Sequence, residues 1–270
     1  MDHTKKTDNT VCSDTNEVKE YSTDGKVRHF STEEDINQKL IKIIGKKFEE
    51  YRKTWDKANR FELVTDFPLF LHLDMNQECN YQCPHCIIGD IYETKKYYEG
   101  SYLSFEGFKK IVDEGAEYGC PSLSPQGNNE PFLIKDLHKY INYAHKKNFI
   151  DIMLNNNGSA LTEKRAQQVL DSGLTRIRFS LDAFTAETYS KVRVGSIPLD
   201  KVKKNIETFL NLKEKGNYKL PVTGVSFCKV RQNEHEVEDF INYWQPKVDI
   251  ISIQSFVPPT TNKEKYEKFY

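Results

Sequence analysis

The sequence predicts an α/β fold in which six parallel strands, separated by helices, form a partial (β/α)6 barrel that follows an N-terminal helical extension. Strand-like runs alternate with amphipathic helical runs along the chain, which is typical of a parallel sheet with helices outside it. Several strands also alternate apolar and polar side chains, so one face meets helices and the other meets something polar.

The polar face decides between two ways of arranging six strands. They can form an open doubly wound sheet or a partly closed barrel. A closed eight-stranded barrel fills its interior with branched apolar side chains. Polar side chains inside the sheet therefore favour a wider, incomplete barrel that holds a charged, hydrated ligand.

The chain divides into four predicted segments. Residues 1–31 are rich in Thr, Asp, Asn, Lys and Ser without apolar periodicity, which predicts a disordered or weakly ordered tail. Apolar residues at helical spacing after Ser31 predict the helical extension over 32–66, packed on the outside of the main domain. The barrel is predicted over 67–257, and 258–270 form a C-terminal tail.

The elements of the barrel are predicted from periodicity and from capping residues. Strands are expected near residues 68–76, 121–126, 151–156, 174–182, 221–230 and 248–257. Helices are expected after Ser104, near Leu137, after Thr162, after Asp200 and near Val237. Asn233 and Glu236 have the spacing of a capping box at the start of the last helix.

Composition excludes several classes of protein. The chain has 39 basic and 40 acidic residues, and this balance argues against a nucleic-acid or anionic-membrane binder. No run of about 18 apolar residues is present, so no membrane span is expected. The N-terminus lacks the apolar core of a signal peptide, so we expect a cytoplasmic protein.

Three of the six cysteines lie within eight positions, directly after the first predicted strand. Cys79, Cys83 and Cys86 have the spacing C-x3-C-x2-C. Loops at the carboxyl ends of parallel strands are where α/β proteins bind ligands. Thiolates at these intervals can hold one iron–sulfur cluster, and three ligands leave one iron of a four-iron cluster open for chemistry.

Two other interpretations of the cysteine loop remain open. The three cysteines and His85 are suitable zinc ligands, although His85 directly beside Cys86 is an awkward arrangement for one tetrahedral centre. The cysteines could also be unligated, which is unusual in a polar loop. Cys120 and Cys228 lie in or beside strands, where a lone cysteine is most often a small core residue.

The cysteine loop after the first strand resembles that of the radical SAM superfamily, and the resemblance extends from Pro68 to Phe256. It implies a partial TIM-like barrel of six β/α units. It also implies a [4Fe-4S] cluster on Cys79, Cys83 and Cys86 whose open iron binds S-adenosylmethionine (SAM). Reductive cleavage of SAM would give a 5′-deoxyadenosyl radical, which removes a hydrogen atom from the substrate.

Further positions match the family's SAM-binding residues. Gly127, Asn128, Asn129 and Glu130 resemble its Gly-Gly-Glu-Pro turn, which holds the methionyl ammonium, although Asn129 stands where the pattern has glycine. By the same resemblance, Ser180 and Asp182 at the end of the fourth strand would contact the ribose or the methionyl group. Arg193 would pair with the SAM carboxylate, and His85 would meet the adenine.

The resemblance leaves the substrate and the subclass open. The segment before the first strand is similar to members of the SPASM/twitch group, which favours a peptide or carbohydrate-type substrate, yet no further cysteine pattern follows. Glycyl-radical activating enzymes and molybdopterin-precursor cyclases are other subclasses, and the latter need C-terminal cysteines that this sequence lacks. A non-catalytic iron–sulfur or zinc protein is the alternative of another class. An external electron donor such as flavodoxin or ferredoxin is implied, with no nucleic acid or membrane as partner.

Overall fold

The computed structural model describes residues 19–22, 27–31, 35–89, 102–258 and 263–269. The strands are β1 (Lys19–Ser22), β2 (Val27–Ser31), β3 (Phe70–His72), β4 (Ser122–Ser124), β5 (Asp151–Asn156), β6 (Arg176–Ser180), β7 (Val222–Lys229) and β8 (Ile250–Ser255). The helices are α1 (Ile36–Ile44), α2 (Lys46–Asn59), α3 (Phe105–Glu117), α4 (Leu137–Lys146), α5 (Glu163–Leu170), α6 (Ala186–Val192), α7 (Leu199–Lys215), α8 (Val237–Trp244) and α9 (Lys263–Tyr266). Short 3-10 helices span Pro131–Leu133, Glu234–Glu236 and Glu267–Phe269.

The sheet confirms the predicted fold class. Its strand order is β1-β2-β8-β7-β6-β5-β4-β3, and β3 to β8 pair in parallel with their neighbours in the sequence. A doubly wound sheet reverses its strand order at a switch point, whereas this order never reverses. The first and last parallel strands do not pair among the described residues, so the sheet is the predicted partial barrel.

A β-hairpin that the sequence analysis does not predict extends the sheet beyond β8. Strand β2 pairs antiparallel with β8, from Val27 opposite Gln254 to Ser31 opposite Ile250, and β1 pairs with β2. These strands lie within residues 1–31, for which composition predicts a tail. The rest of that segment lies outside the described residues. Local composition did not reveal the hairpin because its pairing partner is more than 200 residues away in the sequence.

Part of the predicted C-terminal tail packs onto the barrel. Tyr266 and Phe269 are buried, and the carbonyl of Phe269 accepts a hydrogen bond from the Arg231 N–H at 3.0 Å. The ring of Phe269 also lies 5.9 Å from that of Phe256, which follows β8. These aromatic contacts are long-range, so the helical and strand periods used for prediction do not report them.

Helices α1 and α2 lie within the segment 32–66 and pack at the N-terminal end of the barrel. Their apolar residues Ile36, Leu40, Phe48 and Tyr51 form a buried cluster with Val222 and Ile250, at or near the starts of β7 and β8. The two helices meet at Gly45, whose φ of 89° is one that glycine adopts without steric cost. The predicted single helical pattern is therefore two helices with a sharp change of direction between them.

Three predicted helix starts can be compared with the capping residues. The Ser104 side chain accepts a hydrogen bond from the Gly107 N–H, so its predicted cap is confirmed, and the Thr162 side chain accepts one from the Arg165 N–H at the start of the helix predicted after it. Helix α7 instead begins at Leu199, which places Asp200 inside the first turn. There its carboxylate lies at the positive end of the helix dipole.

The predicted capping box of Asn233 and Glu236 is wrong, because both side chains bond to other elements. The Asn233 amide donates to the carbonyl oxygens of Asp182 and Cys228, at 2.8 and 2.9 Å. The Glu236 carboxylate accepts from the backbone N–H groups of Phe184 and Thr185, at 2.7 and 3.3 Å. Both residues therefore tie β6 and β7 to the loop before α8.

A largely buried ion pair lies inside the barrel at the amino-terminal ends of β5 and β6. The Arg176 guanidinium contacts both carboxylate oxygens of Asp151, at 2.7 and 3.0 Å, and the Asp151 side chain is fully buried. Both residues lie at the starts of adjacent strands, opposite the face that packs against helices. The pair fixes the register of β5 against β6 where the N-terminal helices cover the barrel.

We expect Asp151→Ala to lower the free energy of unfolding by about 3 kcal/mol, because it leaves a largely buried guanidinium without its charge partner. Urea unfolding of the variant and the wild type measures the difference. Glu187→Ala is the control, since it breaks an exposed pair with Lys191 and should cost about 0.5 kcal/mol. Equal losses in the two variants would contradict the prediction.

Among the described residues, no helix is both long enough and apolar enough to cross a membrane.

Candidate functional site

A cavity of about 190 Å³ lies at the carboxyl ends of the first parallel strands. It brings together the three cysteines of the loop, the turn after β4, the end of β5 and the end of β6. Its lining residues are Cys79, Tyr81, Cys83, Cys86, Ile88, Gln126, Gly127, Asn128, Asn129, Glu130, Asn155, Asn156, Asn157, Ser180 and Arg193. Most of the predicted site residues therefore surround one cavity, whereas His85 and Asp182 do not line it.

The cysteine loop is held in place by hydrogen bonds from its backbone and side chains. The Gln82 N–H donates to the Val194 carbonyl at 2.7 Å, which joins the loop to the segment after α6. The Asn157 amide, beyond β5, donates to the Asn80 side-chain carbonyl at 2.9 Å. Within the loop, the Cys86 N–H donates to the Cys83 carbonyl at 3.0 Å. These contacts hold the backbone that carries the three cysteines.

Burial decides the acid–base state of the thiols in the protein without metal. It raises the pKa of Cys79 to about 12, although the Tyr81 N–H lies 3.4 Å from the sulfur and opposes the shift. Burial also raises the pKa of Cys83, against the nearby Arg193 charge. The free thiols of Cys79 and Cys83 are therefore protonated at neutral pH, and metal binding would release their protons.

The donor set suits a multinuclear cluster. In the part of the chain that the structure describes, no three His, Cys, Asp or Glu side chains are placed to share one metal ion. A cubane does not need such sharing, because each of its thiolates binds a different iron. The three sulfurs line one cavity, and its remaining polar lining is amide, hydroxyl, carboxylate and guanidinium. These residues fit a cluster with one open iron.

The turn after β4 presents a buried carboxylate to the cavity. The oxygens of Glu130 accept from the Phe132 N–H at 3.1 Å and from the Asn157 N–H at 2.7 Å. Burial nevertheless raises the pKa of Glu130 to about 7. Each oxygen keeps a free lone pair, so the ionised carboxylate can accept a hydrogen bond from a bound cation.

Asn129 stands where the family pattern has glycine, and it stabilises the turn by its own side chain. Its Oδ1 accepts from the Gly127 N–H at 3.0 Å. Its Nδ2 is buried and has no hydrogen-bond partner among the described residues. A buried donor without a partner costs free energy, so this amide group is available to a ligand in the cavity.

The Asp74 carboxylate occupies the space that a side chain at Gly127 would need, so a larger residue there forces Asp74 or the turn to move. A Cβ at this position would lie 1.7 Å from Asp74 Oδ1, and that oxygen accepts from the Asn128 N–H at 2.7 Å. Asp74, just after β3, therefore holds the turn in place. The sequence analysis did not assign a role to Asp74. The feature that could have indicated one is its position, since it is a carboxylate at the carboxyl end of the first parallel strand.

We expect Gly127→Ala to weaken SAM binding at least tenfold, because the clash with Asp74 displaces the turn that carries Glu130. Equilibrium dialysis of cluster-loaded protein with labelled SAM measures the affinity. Combining Gly127→Ala with Asp74→Ala removes the clash and should restore part of the affinity. If Asp74→Ala alone keeps most of the affinity and the double variant is no better than Gly127→Ala, the clash is not the cause.

Ser180 and Asp182 face different surroundings although the strand pattern places them on one face. Ser180 lines the cavity and lies 3.3 Å from the Ser226 hydroxyl. Asp182 is buried with a φ of 57°, a left-handed conformation at the end of β6. Its Oδ2 lies 2.7 Å from Arg193 Nη2 and 3.2 Å from His85 Nε2.

The charge state of Asp182 follows from these partners. Burial alone would raise its pKa, but the Arg193 guanidinium, the His85 ring and the Cys228 N–H together lower the pKa of Asp182 below its usual value. The His85 ring packs edge-on to Phe256 and Phe269, with centroids 6.2 and 6.3 Å away. The ring therefore packs against Asp182 and these two phenylalanines and does not line the cavity.

Comparison with known proteins gives the family of the chain. The family model described as "Radical SAM superfamily" matches residues 74–243. A probable GTP 3',8-cyclase of Methanococcus maripaludis is 29% identical over 186 residues, which are 69% of this chain and 58% of that protein. A GTP 3',8-cyclase of Aliarcobacter butzleri is 28% identical and covers 74% of this chain and 64% of its own length. The chain thus spans about three fifths of these relatives.

Solved structures share the fold at low sequence identity. Streptococcus suis SuiB bound to its precursor peptide SuiA aligns with a TM-score of 0.61 and 14% identity, over 83% of this chain and 47% of SuiB. Native anSMEcpe with bound AdoMet aligns with a TM-score of 0.55 and 18% identity, over 74% of this chain and 57% of that one. At such identity the likeness shows the fold alone.

The family match begins just after β3 and ends within α8, and it includes the cysteine loop and every lining residue of the cavity. Enzymes of this family use a [4Fe-4S] cluster and SAM, which are the cofactors that the sequence predicts. By this match the chain belongs to the radical SAM superfamily.

Proposed function

We propose that the protein binds a [4Fe-4S] cluster through Cys79, Cys83 and Cys86 and binds SAM in the adjoining cavity. The observation that carries this proposal is the convergence of three thiols, the Glu130 carboxylate and the unpartnered Asn129 amide on one cavity. The bound cofactors supply reductive cleavage of SAM to a 5′-deoxyadenosyl radical, which abstracts hydrogen from the substrate.

The protein's own residues would bind and orient SAM. Glu130 is suited to the methionyl ammonium, because it is a buried carboxylate with free lone pairs. Asn129 Nδ2 offers a donor to the methionyl carboxylate, and Gly127 and Asn128 line the same cavity. Ser180 also lines it, and its hydroxyl is suited to bond the ribose.

The roles proposed for His85, Asp182 and Arg193 toward SAM have less support. His85 and Asp182 do not line the cavity, and they bond to each other and to protein groups. Arg193 does line it, but one of its terminal nitrogens already contacts Asp182. A direct SAM contact is therefore best supported for Arg193 among these three residues.

Two substrate classes are candidates. The likeness of the segment before the first strand to the SPASM/twitch group favours a peptide or a carbohydrate. The names of the GTP 3',8-cyclases, together with their sequence identity to this chain, favour GTP. GTP is the first compound to test, since those relatives align over more than two thirds of this chain.

Anaerobic reconstitution with iron and sulfide, followed by dithionite and SAM, tests the proposal. We expect a brown protein that forms 5′-deoxyadenosine, and a true substrate made with deuterium should transfer it into that product. One bound zinc without iron would favour the zinc alternative. Iron without 5′-deoxyadenosine would favour a non-catalytic iron–sulfur protein. In place of dithionite, reduced flavodoxin or ferredoxin should support turnover, as the implied external donor.

A further inference from the structure

We propose that the buried Asp182–Arg193 ion pair, whose guanidinium lies against the sulfur of Cys83, sets the reduction potential of the cluster, with the guanidinium raising it and the carboxylate lowering it. This inference rests on the proposed function, because it concerns the cluster that Cys83 would bind. It assigns Asp182 and Arg193 a role toward the cluster, in addition to any contact with SAM.

Asp182 is itself fixed from several sides. Its Oδ1 accepts a hydrogen bond from the Cys228 N–H at 2.7 Å, which anchors the carboxylate to β7. Its carbonyl accepts from the Asn233 side chain at 2.8 Å. Its second carboxylate oxygen contacts His85, next to the third cysteine of the loop. Asp182 therefore joins β6, β7 and the cysteine loop.

The guanidinium of Arg193 joins this carboxylate to the cysteine sulfur. Nη2 lies 2.7 Å from Asp182 Oδ2, and Nη1 donates to Cys83 Sγ at 3.7 Å. The two side chains of the ion pair are only 12% and 3% exposed. A planar guanidinium that is held at one nitrogen has a fixed direction at the others. The ion pair thus aims an N–H group and a positive charge at the sulfur.

A donor and a cation beside a ligand sulfur change the electron affinity of the cluster. The reduced cluster carries one more negative charge, so a positive group and a hydrogen bond at the sulfur stabilise it and raise its potential. The Asp182 carboxylate has the opposite electrostatic effect. Neutralising Arg193 and neutralising Asp182 should therefore shift the potential in opposite directions, which simple loss of packing would not do.

The test is a redox titration of the cluster-loaded full chain without SAM, in which electron paramagnetic resonance measures the reduced cluster. For Arg193→Gln we expect the ratio of reduced to oxidised cluster at a fixed solution potential to fall about tenfold, a shift of about 59 mV to more negative potential. For Asp182→Asn we expect a shift to less negative potential, because the variant removes a negative charge near the cluster and leaves the Arg193 charge in the same buried site. Arg193→Lys keeps the charge and should retain a potential nearer that of the wild type.

Arg176→Gln is the matched control, because it removes an arginine from a largely buried pair at the other end of the barrel. We expect it to lower stability and leave the potential unchanged. The Arg193→Gln and Asp182→Asn variants could hold the cluster and yet keep the wild-type potential, or both shift it in the same direction. Either result would overturn this inference and leave the proposed function standing. A wild-type protein that takes up no iron would overturn the proposed function and this inference with it.

Discussion

Cys83→Ala is expected to lose the cluster and, with it, all formation of 5′-deoxyadenosine. Cys83 is the most buried of the three thiols, and it lines the cavity beside Arg193. Loss of a residue that merely supports a metal ligand costs about 10- to 100-fold in affinity, so loss of a ligand should cost roughly 100-fold or more. Iron content and absorbance after anaerobic reconstitution measure the effect.

Cys120→Ala is the matched control for this loss. Cys120 is also buried, but its sulfur lies 3.5 Å from the Ser122 carbonyl and does not line the cavity. We expect a stability loss of about 1 kcal/mol and a wild-type iron content. If Cys120→Ala lost as much iron as Cys83→Ala, iron uptake would depend on overall folding and the assignment of Cys83 would fail.

Glu130→Gln is expected to weaken SAM binding by about 2 kcal/mol, or roughly thirtyfold, because a buried charge-assisted hydrogen bond to the ammonium becomes a neutral one. The amide has almost the size of the carboxylate, but its NH2 group cannot accept one of the two backbone hydrogen bonds, so thermal unfolding of the variant should be measured beside its SAM affinity. Anaerobic equilibrium dialysis of the cluster-loaded protein gives both affinities. Glu236→Gln is the control: it changes another buried carboxylate, and SAM affinity should stay unchanged.

The same carboxylate should make SAM binding depend on pH. Burial raises the pKa of Glu130 to about 7, so below that pH the free protein holds a proton that the ammonium must displace. Affinity should then fall by about tenfold per pH unit below 7 in the wild type, and less steeply in Glu130→Gln. Parallel pH profiles for the two proteins would contradict the assignment.

The pH dependence that Glu130 gives to folding stability is opposite to the one that it gives to SAM affinity. Because the folded protein holds the Glu130 proton more tightly than the unfolded chain, this residue's contribution to stability is complete below the unfolded pKa of about 4.3. It is lost as the pH rises through 7. Bound SAM would supply the missing positive charge, so it should stabilise the protein more at pH 8 than at pH 6.

The sequence predicted the six parallel strands well because their evidence is local. Each run, such as residues 174–182 around β6, carries its own period-two pattern and its own flanking turns. Helix α6 was not predicted, since its seven residues are too few to show a helical period. The hairpin β1–β2 and helix α9 were missed because distant partners stabilise them.

The sequence predicted most residues of the candidate site, but fewer of the contacts between them. Ser180 and Asp182 are two residues apart, so the strand pattern places both on the polar face. Strand β6 ends at Ser180, and the left-handed conformation of Asp182 breaks the alternation. Its carboxylate therefore meets Arg193 and Cys228. Asp74 was missed as a support of the turn because its partner, Asn128, lies 54 residues away.

Strand β2 affects the tendency of this protein to self-associate, because it covers the edge of β8. Its five register pairs occupy the outer backbone groups of β8, a strand that carries Ile250, Ile251 and Ile253. A shortened protein that begins at Ile36 would leave this isoleucine-rich border unsatisfied and ready to recruit a strand from another molecule. Such a protein should self-associate, so strand β2 protects the edge of β8 from pairing with another molecule.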